Sequence, residues 1–269
     1  MRGAGDDDGA SGSEDPGSDH SEGPRPMRVA ITGANGDIGR TVAPYLAARH
    51  DVRLAIWDLP AGREAAMPDC PGAEVRRVDI TDPGAVTEFV RGMDAVVHLA
   101  GQREVAADWS SLRAPNIDGT FSVFDACRRQ SVGKIVFASS NHATGGYELD
   151  GLSGLDGTEV VRPDSLYGVT KAFGEALGRY LSDRHGISVI CLRIGSFLPA
   201  PDSKRSLRTW LSPADLCRLV SSALAADVRY GVYYGASANA HGQWDIRPAI
   251  AELGYDPQDD AELFTDHLK

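Results

Sequence analysis

The sequence lacks long apolar runs, a surplus of positive charge and closely spaced cysteines. No apolar run approaches the roughly 18 residues that a membrane-spanning helix needs, and no basic stretch followed by an apolar one marks a secretory signal. The 38 Asp and Glu residues outnumber the 27 Lys and Arg residues, and the net charge of −11 argues against nucleic acid as a partner. The four cysteines lie far apart, without the spacing of metal ligands. These absences predict a cytoplasmic protein with no metal site and neither a membrane nor a nucleic acid as its partner.

Composition separates residues 1–26 from the rest of the chain. This segment is rich in Gly, Ser, Asp and Pro, has no periodic apolar residues and carries Asp6, Asp7 and Asp8 in a row. It cannot bury enough apolar surface to offset the entropy lost on ordering, so we predict a disordered acidic tail. The whole chain of 269 residues is 42% hydrophobic, which is enough for one sizeable domain or a domain with a small lobe.

Short apolar runs alternate with longer amphipathic ones from Arg28 onward, which predicts repeated βαβ units around a parallel sheet. The fold class is therefore α/β, a Rossmann-type doubly wound parallel sheet. We expect the cofactor-binding domain at 27–195 and a small substrate-binding lobe, interleaved with it, at 196–269. The predicted strands lie at 28–32, 52–58, 74–79, 94–101, 134–140, 188–195 and 230–236. The predicted helices lie at 38–50, 82–93, 110–131, 166–184, 213–226 and 246–254.

A glycine-rich loop, GANGDIG, follows the first predicted strand and precedes a helix. Its spacing is typical of a dinucleotide site, because glycines let the backbone approach the pyrophosphate and the helix N-terminus attracts that anion. Asp58 ends the second strand about 20 residues on, where a carboxylate holds the ribose hydroxyls and repels a 2′-phosphate. The predicted cofactor is therefore NAD. The residues of the loop that we expect to bind it are Gly33, Gly36, Asp37, Ile38 and Gly39.

Other strand ends add to the predicted cofactor site. Asp79 and Ile80 end the third strand at the expected adenine position, and HLAG ends the fourth beside the expected nicotinamide ribose. His98 in that run is interpreted as a histidine of a buried strand. Asn116 in the next helix either holds the geometry of a catalytic lysine or caps a helix broken by Pro115. The full set of predicted cofactor residues beyond the loop is Asp58, Asp79, Ile80, Leu99, Ala100, Gly101, Asn116, Lys171 and Ile194.

The predicted catalytic residues are Ser140, Tyr167 and Lys171. Tyr167 and Lys171 stand four apart in SLYGVTKAFGE, on one face of a helix, and Ser140 ends the apolar run KIVFASS. The unperturbed pKa of a tyrosine is near 10, and a neighbouring lysine favours the phenolate. A base of this kind beside a hydroxyl that holds the substrate predicts hydride transfer between an alcohol or carbonyl and the nicotinamide.

Four stretches resemble one family closely: VFASSNHATGGY, RPDSLYGVTKAFGE, RIGSFLPAPDSKRSLRTWLS and YGASAN. From residue 27 onward the chain resembles the extended short-chain dehydrogenases/reductases of the NAD-dependent epimerase/dehydratase group, and uronate dehydrogenases in particular. That resemblance implies oxidation of the anomeric carbon of a hexuronate to a lactone with NAD. It also implies that Ser140, Asn141, His142, Tyr167, Ser196 and Arg205 contact the sugar, with Arg205 clamping the substrate carboxylate. The resemblance to this family further suggests a homo-oligomer.

The chain departs from that family pattern at Gln102 and Arg103, where uronate dehydrogenases tend to carry a small hydroxyl residue that contacts the sugar. Both residues are counted as substrate-binding. LDGTEVVRPDSLYGVTKAFGEALGRY and LGYDPQDDAELF also resemble an archaeal-type NAD-dependent glucose-6-phosphate dehydrogenase. Arg103, Lys204 and Arg205 suit a phosphate as well as a carboxylate, so an NAD-dependent sugar-6-phosphate dehydrogenase is the alternative.

Two further alternatives fit less well. Nucleotide-sugar dehydratases of the family carry an acidic pair after the catalytic Ser or Thr, where this chain has Asn141 and His142. Epimerases of nucleotide sugars need a larger second lobe than the residues after Gly195 supply. A non-catalytic NAD-binding redox sensor would typically lack the tyrosine or lysine that this chain keeps.

Overall fold

The computed structural model of the chain describes residues 26–57 and 67–267. Residues 1–25 of the predicted tail, and Asp58, lie outside this described part. The strands are β1 (Arg28–Thr32), β2 (Asp51–Ile56), β3 (Glu74–Arg77), β4 (Ala95–His98), β5 (Lys134–Ser140), β6 (Ser188–Ile194), β7 (Ser196–Phe197), β8 (Trp210–Leu211) and β9 (Tyr230–Gly235). The α-helices are α1 (Asp37–Ala47), α2 (Pro83–Val90), α3 (Trp109–Leu112), α4 (Thr120–Arg129), α5 (Gly145–Leu149), α6 (Leu166–His185), α7 (Ser206–Thr209), α8 (Pro213–Ala225) and α9 (Arg247–Leu253).

Seven strands of the described part form one parallel sheet, in the order β3-β2-β1-β4-β5-β6-β9. The chain winds outward from β1 toward β3, then returns through β4 toward β9, so the order reverses between β1 and β4. In such a sheet, ligands bind beside the carboxyl ends of the strands at the reversal point. The register brings Thr32 opposite His98 and Ser140 opposite Ile194 at that edge. The predicted Rossmann-type fold is confirmed.

Two hydrophobic cores cover the two faces of the sheet. One core joins apolar residues of α1, α8 and α9 to the sheet, and the other joins those of α2, α4 and α6. The central strands β1, β4, β5 and β6 are buried almost throughout and mostly apolar, as two covering layers of helices require, whereas the edge strand β3 is largely exposed. Because β9, α8 and α9 belong to these layers, much of the segment after Gly195 is built into the main sheet and its helices.

Local signals set several helix ends. The Asp82 side chain accepts from the backbone N–H groups of Gly84 and Ala85 at the start of α2, and Pro83 occupies its first position. Ser165 caps the start of α6 by accepting from Gly168 N–H, and Gly186 ends that helix in the left-handed conformation.

The predicted helix at 110–131 is not uniform. A π-helical segment, Arg113–Gly119, separates α3 from α4 and contains Pro115. Its wider turn places the Asn116 side chain in the interior, and such segments often occur at functional sites.

Strands β2, β3 and β4 end two or three residues earlier than predicted, because the residues after them form loops at the carboxyl edge of the sheet. Among the helices formed by the described residues, none is long and apolar enough to cross a membrane. Within residues 26–57 and 67–267, there is no group of three or more His, Cys, Asp or Glu residues that could hold a metal ion.

Candidate active site

The glycine loop after β1 is closely packed against the loop after β4. Gly33 has a φ of +68°, and a Cβ there would lie 2.8 Å from Cα of Ala100. A Cβ on Gly39 would clash with the carbonyl oxygen of Gly33. The Gly36 N–H donates to the Gly33 carbonyl over 3.0 Å, which closes the turn. Only glycine fits at Gly33 and Gly39, and this cradle of bare backbone suits a dinucleotide pyrophosphate.

The first turn of α1 carries an ion-paired carboxylate. Gly36 precedes the helix and provides no side chain to cap it, so the N–H groups of this turn stay available to an anion. Asp37 pairs with Arg40 over 2.7 Å and with Arg103. Burial raises the pKa of Asp37, but the two guanidinium groups outweigh it and leave the pKa lowered. Arg103 thus connects the loop after β4 to the start of α1.

The run HLAG after β4 is fixed by Thr32, whose hydroxyl accepts from the N–H groups of Leu99 and Ala100. Nδ1 of His98 lies 2.7 Å from the Thr32 hydroxyl and Nε2 lies 3.3 Å from that of Thr120. Burial, together with the charge of Lys171, lowers the pKa of His98 to about 3. The imidazole is therefore neutral at neutral pH and serves packing and hydrogen bonding.

Asn116 joins the loop after β4 to helix α6. Its amide oxygen accepts from Gln102 N–H over 2.7 Å, and its amide nitrogen donates to the Gln102 carbonyl and to the Thr170 hydroxyl. Thr170 in turn donates to the Tyr167 carbonyl over 2.7 Å. Asn116 thus reaches the catalytic helix one residue before Lys171, and it holds Gln102 by its backbone. The Gln102 side chain accepts from Glu104 N–H.

The remaining predicted cofactor residues lie at the same edge of the sheet. Asp79 accepts from the N–H and the hydroxyl of Thr81, so its carboxylate shapes the turn after β3. Ile80 packs against Gly119, where a Cβ would approach the Ile80 side chain to 2.7 Å. Ile38 packs on the core at the start of α1, and Ile194 ends β6 beside Ser140.

The three predicted catalytic residues meet at the end of β5. Tyr167 and Lys171 both face the interior from α6, and the Ser140 hydroxyl lies close enough to the Tyr167 phenol to favour a lower pKa of that phenol. Nζ of Lys171 donates to the carbonyl of Ala138 over 2.8 Å and lies 5.4 Å from the centroid of the Tyr167 ring. The ammonium group therefore lies beneath the phenol, on the side of the sheet.

Burial has the largest effect on the pKa values of Lys171 and Tyr167. It lowers the pKa of Lys171 to about 8. It also raises the pKa of Tyr167, against the opposing effects of the Ser140 hydrogen bond and the positive charge of Arg103. Desolvation thus outweighs the two groups that lower the tyrosine pKa, and the lowering expected from the lysine does not decide the direction of the shift.

His142 is held beside Tyr167 by a carboxylate that sequence reasoning missed. Nδ1 of His142 lies 3.0 and 2.8 Å from the two oxygens of Asp164, and its ring meets the Tyr167 ring edge to face at 5.9 Å. A Cβ on Gly145 would clash with the Asp164 carboxylate, and one on Gly168 would clash with the His142 carbonyl. Because Gly145 and Gly168 have no side chains, Asp164 and His142 can pack directly against them.

Arg205, expected to clamp a substrate carboxylate, pairs with a carboxylate of the chain itself. Nη2 of Arg205 lies 3.1 Å from Oε2 of Glu148, whose other oxygen accepts from the Asn141 amide over 3.3 Å. Nη1 of Arg205 lies 3.5 Å from the Ser196 hydroxyl, which also lies 2.8 Å from that of Thr209. Asn141, Ser196 and Arg205 are thus gathered around Glu148, another residue that sequence reasoning missed.

A cavity of about 400 Å³ opens beside this pair and is lined by Glu148, Lys204, Arg205 and Arg208, among others. Ser140, Tyr167 and Lys171 do not line it. Three cations and one carboxylate make its charged lining positive, which suits an anionic group.

The structure brings Ser140, Tyr167, Lys171 and His142 together, and it brings Asn141, Ser196 and Arg205 to a neighbouring cluster. Arg103 instead contacts Asp37. Asp164 stands three residues before Tyr167 in the quoted RPDSLYG stretch. Its position near the tyrosine was a signal for it, whereas no local pattern marks Glu148.

Three comparisons place this chain among known proteins. The model of the NAD dependent epimerase/dehydratase family matches residues 29–204. The NAD-dependent glucose-6-phosphate dehydrogenase of Haloferax volcanii is 40% identical over an alignment of 250 residues that covers 88% of this chain and 95% of that protein. The uronate dehydrogenase of Pseudomonas putida is 39% identical over 238 residues, 88% of this chain and 86% of the relative.

A solved structure agrees with these sequences. Uronate dehydrogenase from Agrobacterium tumefaciens, a mutant complexed with NAD, superimposes with a TM-score of 0.77 at 34% identity, covering 91% of this chain and 89% of that one. Family pattern, relatives and architecture point the same way, and the chain belongs to the NAD dependent epimerase/dehydratase family.

Proposed function

We propose that the protein is an NAD-dependent dehydrogenase that oxidises the anomeric hydroxyl of an acidic aldose, a hexuronate, to its lactone. The observation that carries this proposal is the Tyr167 phenol, which lies beside Ser140 with the buried Lys171 ammonium 5.4 Å from its ring centroid. This arrangement suits proton abstraction from a substrate hydroxyl.

Each of the three residues has a separate role. Tyr167 accepts the proton of the anomeric hydroxyl, and Ser140 holds the oxygen of that hydroxyl. Lys171 places a positive charge beneath the ring, where it stabilises the phenolate that accepts the proton. The family resemblance assigns the hydride acceptor to NAD, held by the glycine loop at Gly33, Gly36 and Gly39.

Arg205 binds the carboxylate of the substrate. Asn141, His142 and Ser196 contact the rest of the sugar. Planar guanidinium groups bind carboxylates through paired N–H donors. The Arg205 side chain is 53% exposed, and its Nη1 lies 3.5 Å from the Ser196 hydroxyl, which supports this role because that side of the guanidinium is open to a carboxylate. The compact site favours a monosaccharide over a nucleotide sugar, and the intact Tyr167 and Lys171 favour an enzyme over a redox sensor.

A sugar 6-phosphate is the second candidate substrate, and the cavity beside Arg205 favours it. Its phosphorus lies two bonds beyond C6, the atom that is the carboxylate carbon in a uronate. A phosphate on that longer arm extends toward Lys204 and Arg208 in the cavity lining. The excess positive charge there matches a dianion better than a monoanion.

The cytoplasmic location and the homo-oligomer stay predictions. Exposed apolar side chains on α3, α4 and α6, among them Trp109, Phe121 and Tyr180, support association of two copies through this side of the molecule. Analytical ultracentrifugation tests this directly, since a monomer at micromolar concentration would contradict it.

NADH formation at 340 nm tests the proposed function. Glucuronate, galacturonate, glucose 6-phosphate and glucose are each supplied with NAD or NADP. We expect turnover of a uronate with NAD. Turnover restricted to glucose 6-phosphate selects the second candidate, and no turnover across the panel contradicts both.

A further inference from the structure

Glu148 lies among the residues assigned to the substrate but has no role in the proposed chemistry. Its carboxylate contacts the Asn141 amide at 3.3 Å and the Arg205 guanidinium at 3.1 Å, and its side chain is only 17% exposed. It therefore occupies a place beside Arg205 that a substrate carboxylate would compete for.

We propose that Glu148 is a specificity-determining residue: it competes with the carboxylate of a uronate for Arg205, and so weakens the binding of uronates relative to sugars with the acidic group on a longer arm. This inference rests on the proposed function, because it assumes that the sugar's acidic group approaches Arg205. The inference concerns how tightly different acidic sugars bind in that same site.

The two Nη atoms of Arg205 face two different neighbours. Glu148 uses Nη2, and Nη1 lies at the long distance of 3.5 Å from the Ser196 hydroxyl. A uronate carboxylate can approach Nη1 but then shares one guanidinium with Glu148. Two carboxylates around one cation repel each other, and solvent screens this repulsion only in part because Glu148 is 17% exposed although Arg205 is 53% exposed.

A phosphate on a longer arm escapes most of that repulsion. It passes Arg205 into the cavity, where Lys204 and Arg208 add two positive charges. There the cations outnumber Glu148, whereas at Arg205 the single guanidinium is already neutralised.

The backbone that carries Glu148 is anchored, so retreat of the whole helix α5 does not relieve the competition. Gly146 N–H donates to the Arg162 carbonyl over 2.9 Å, and the Tyr147 hydroxyl donates to the Val160 carbonyl over 3.1 Å. The preceding Gly145 packs against Asp164 without room for a Cβ.

The substitution Glu148→Gln tests the proposal, because it removes the charge and keeps an amide oxygen that can still accept from Arg205. Glu88→Gln is the matched control, since Glu88 is ion-paired with Arg91 on α2, outside the pocket. Dissociation constants of glucuronate and glucose 6-phosphate are measured by calorimetry with the enzyme–NADH complex, in which no sugar is oxidised. Equal NADH affinity of the variants and the parent protein verifies folding.

We expect Glu148→Gln to tighten glucuronate binding about tenfold, with a change below about threefold for glucose 6-phosphate and none in the control. Unchanged or weaker glucuronate binding would overturn the inference. The proposed function is judged separately by turnover: tighter glucuronate binding without oxidation of any sugar supports the role of Glu148 and rejects the dehydrogenase.

Discussion

Nζ of Lys171 donates a hydrogen bond to the carbonyl of Ala138 over 2.8 Å. The lysine comes from α6 and the carbonyl from β5, two residues before Ser140. One bond therefore fixes the helix that carries Tyr167 against the strand that carries Ser140. It also accounts for how an ammonium group stays inside the fold, because its buried charge has an oxygen partner.

Replacing Tyr167 by Phe removes the proposed base and keeps the ring. We expect kcat to fall by about 10²–10⁴-fold, the usual contribution of a positioned proton acceptor. The dissociation constant for NADH should not change. Tyr180→Phe is the control, since Tyr180 lies on the same helix with its ring exposed. Steady-state kinetics and NADH fluorescence measure both quantities, and unchanged turnover in Tyr167→Phe would refute the assigned base.

Replacing Lys171 by Met should abolish activity and stabilise the fold at pH 7. Burial lowers the lysine pKa from 10.5 to about 8, so the folded protein holds this charge at a cost of about 3 kcal/mol. Losing the bond to Ala138 offsets part of the gain, which leaves an expected increase of about 1–3 kcal/mol in the free energy of unfolding.

The difference in the free energy of unfolding between Lys171→Met and the parent protein should change with pH in one direction. Between pH 8 and 10.5 the unfolded lysine binds the proton more tightly than the folded one, so the parent protein gains stability as pH rises. The advantage of Lys171→Met should therefore shrink from pH 7 to pH 10. Denaturant titrations at the two pH values measure it, and a gap that widens with pH would show that the lysine charge is not destabilising.

Adding a single methyl group to the glycine loop should disrupt the cofactor site. In Gly39→Ala the new Cβ clashes with the carbonyl of Gly33, and such overpacking costs about 1–3 kcal/mol. We expect NADH affinity to fall about tenfold or more. Gly133→Ala is the control, because its Cβ would meet nothing closer than 3.7 Å. Equal NADH affinity in the two variants would contradict the assignment of the loop.

Removing the charge of Asp164 should impair sugar binding through His142. Asp164→Asn keeps the shape but weakens the contact to Nδ1, and we expect kcat/KM for the sugar to fall about 10–100-fold with unchanged NADH affinity. Asp150→Asn is the matched control, as Asp150 is ion-paired with Arg162 on the surface. Circular dichroism and sugar kinetics measure the effect, and a loss explained entirely by unfolded protein would argue against a positioning role.

The sequence predicted the elements whose signals are local. The glycine loop follows a strand and precedes a helix, and Tyr167 and Lys171 share a face because they stand four apart. The helix over 110–131 was predicted as one element; Pro115 marks an interruption in it, but nothing in the pattern marks the π-helical segment that places Asn116 between Gln102 and Thr170.

Contacts between distant elements were not predictable in this way. Glu148 meets Arg205 across 57 positions, and Arg103 meets Asp37 across 66. The sequence does not show these pairs, because each arginine meets its carboxylate partner only when the loops fold over the sheet edge. Arg103 and Arg205 were therefore assigned to an anionic substrate. Charge pairing inside the pocket is a property of tertiary packing.

Transfer of the anomeric hydrogen tests the central claim most directly. Glucuronate deuterated at C1 is incubated with the protein and NAD, and the NADH produced is analysed by mass spectrometry. We predict NADH heavier by one mass unit, with deuterium on the nicotinamide ring. Unlabelled NADH would place the oxidation at another carbon, and no NADH would contradict a uronate dehydrogenase.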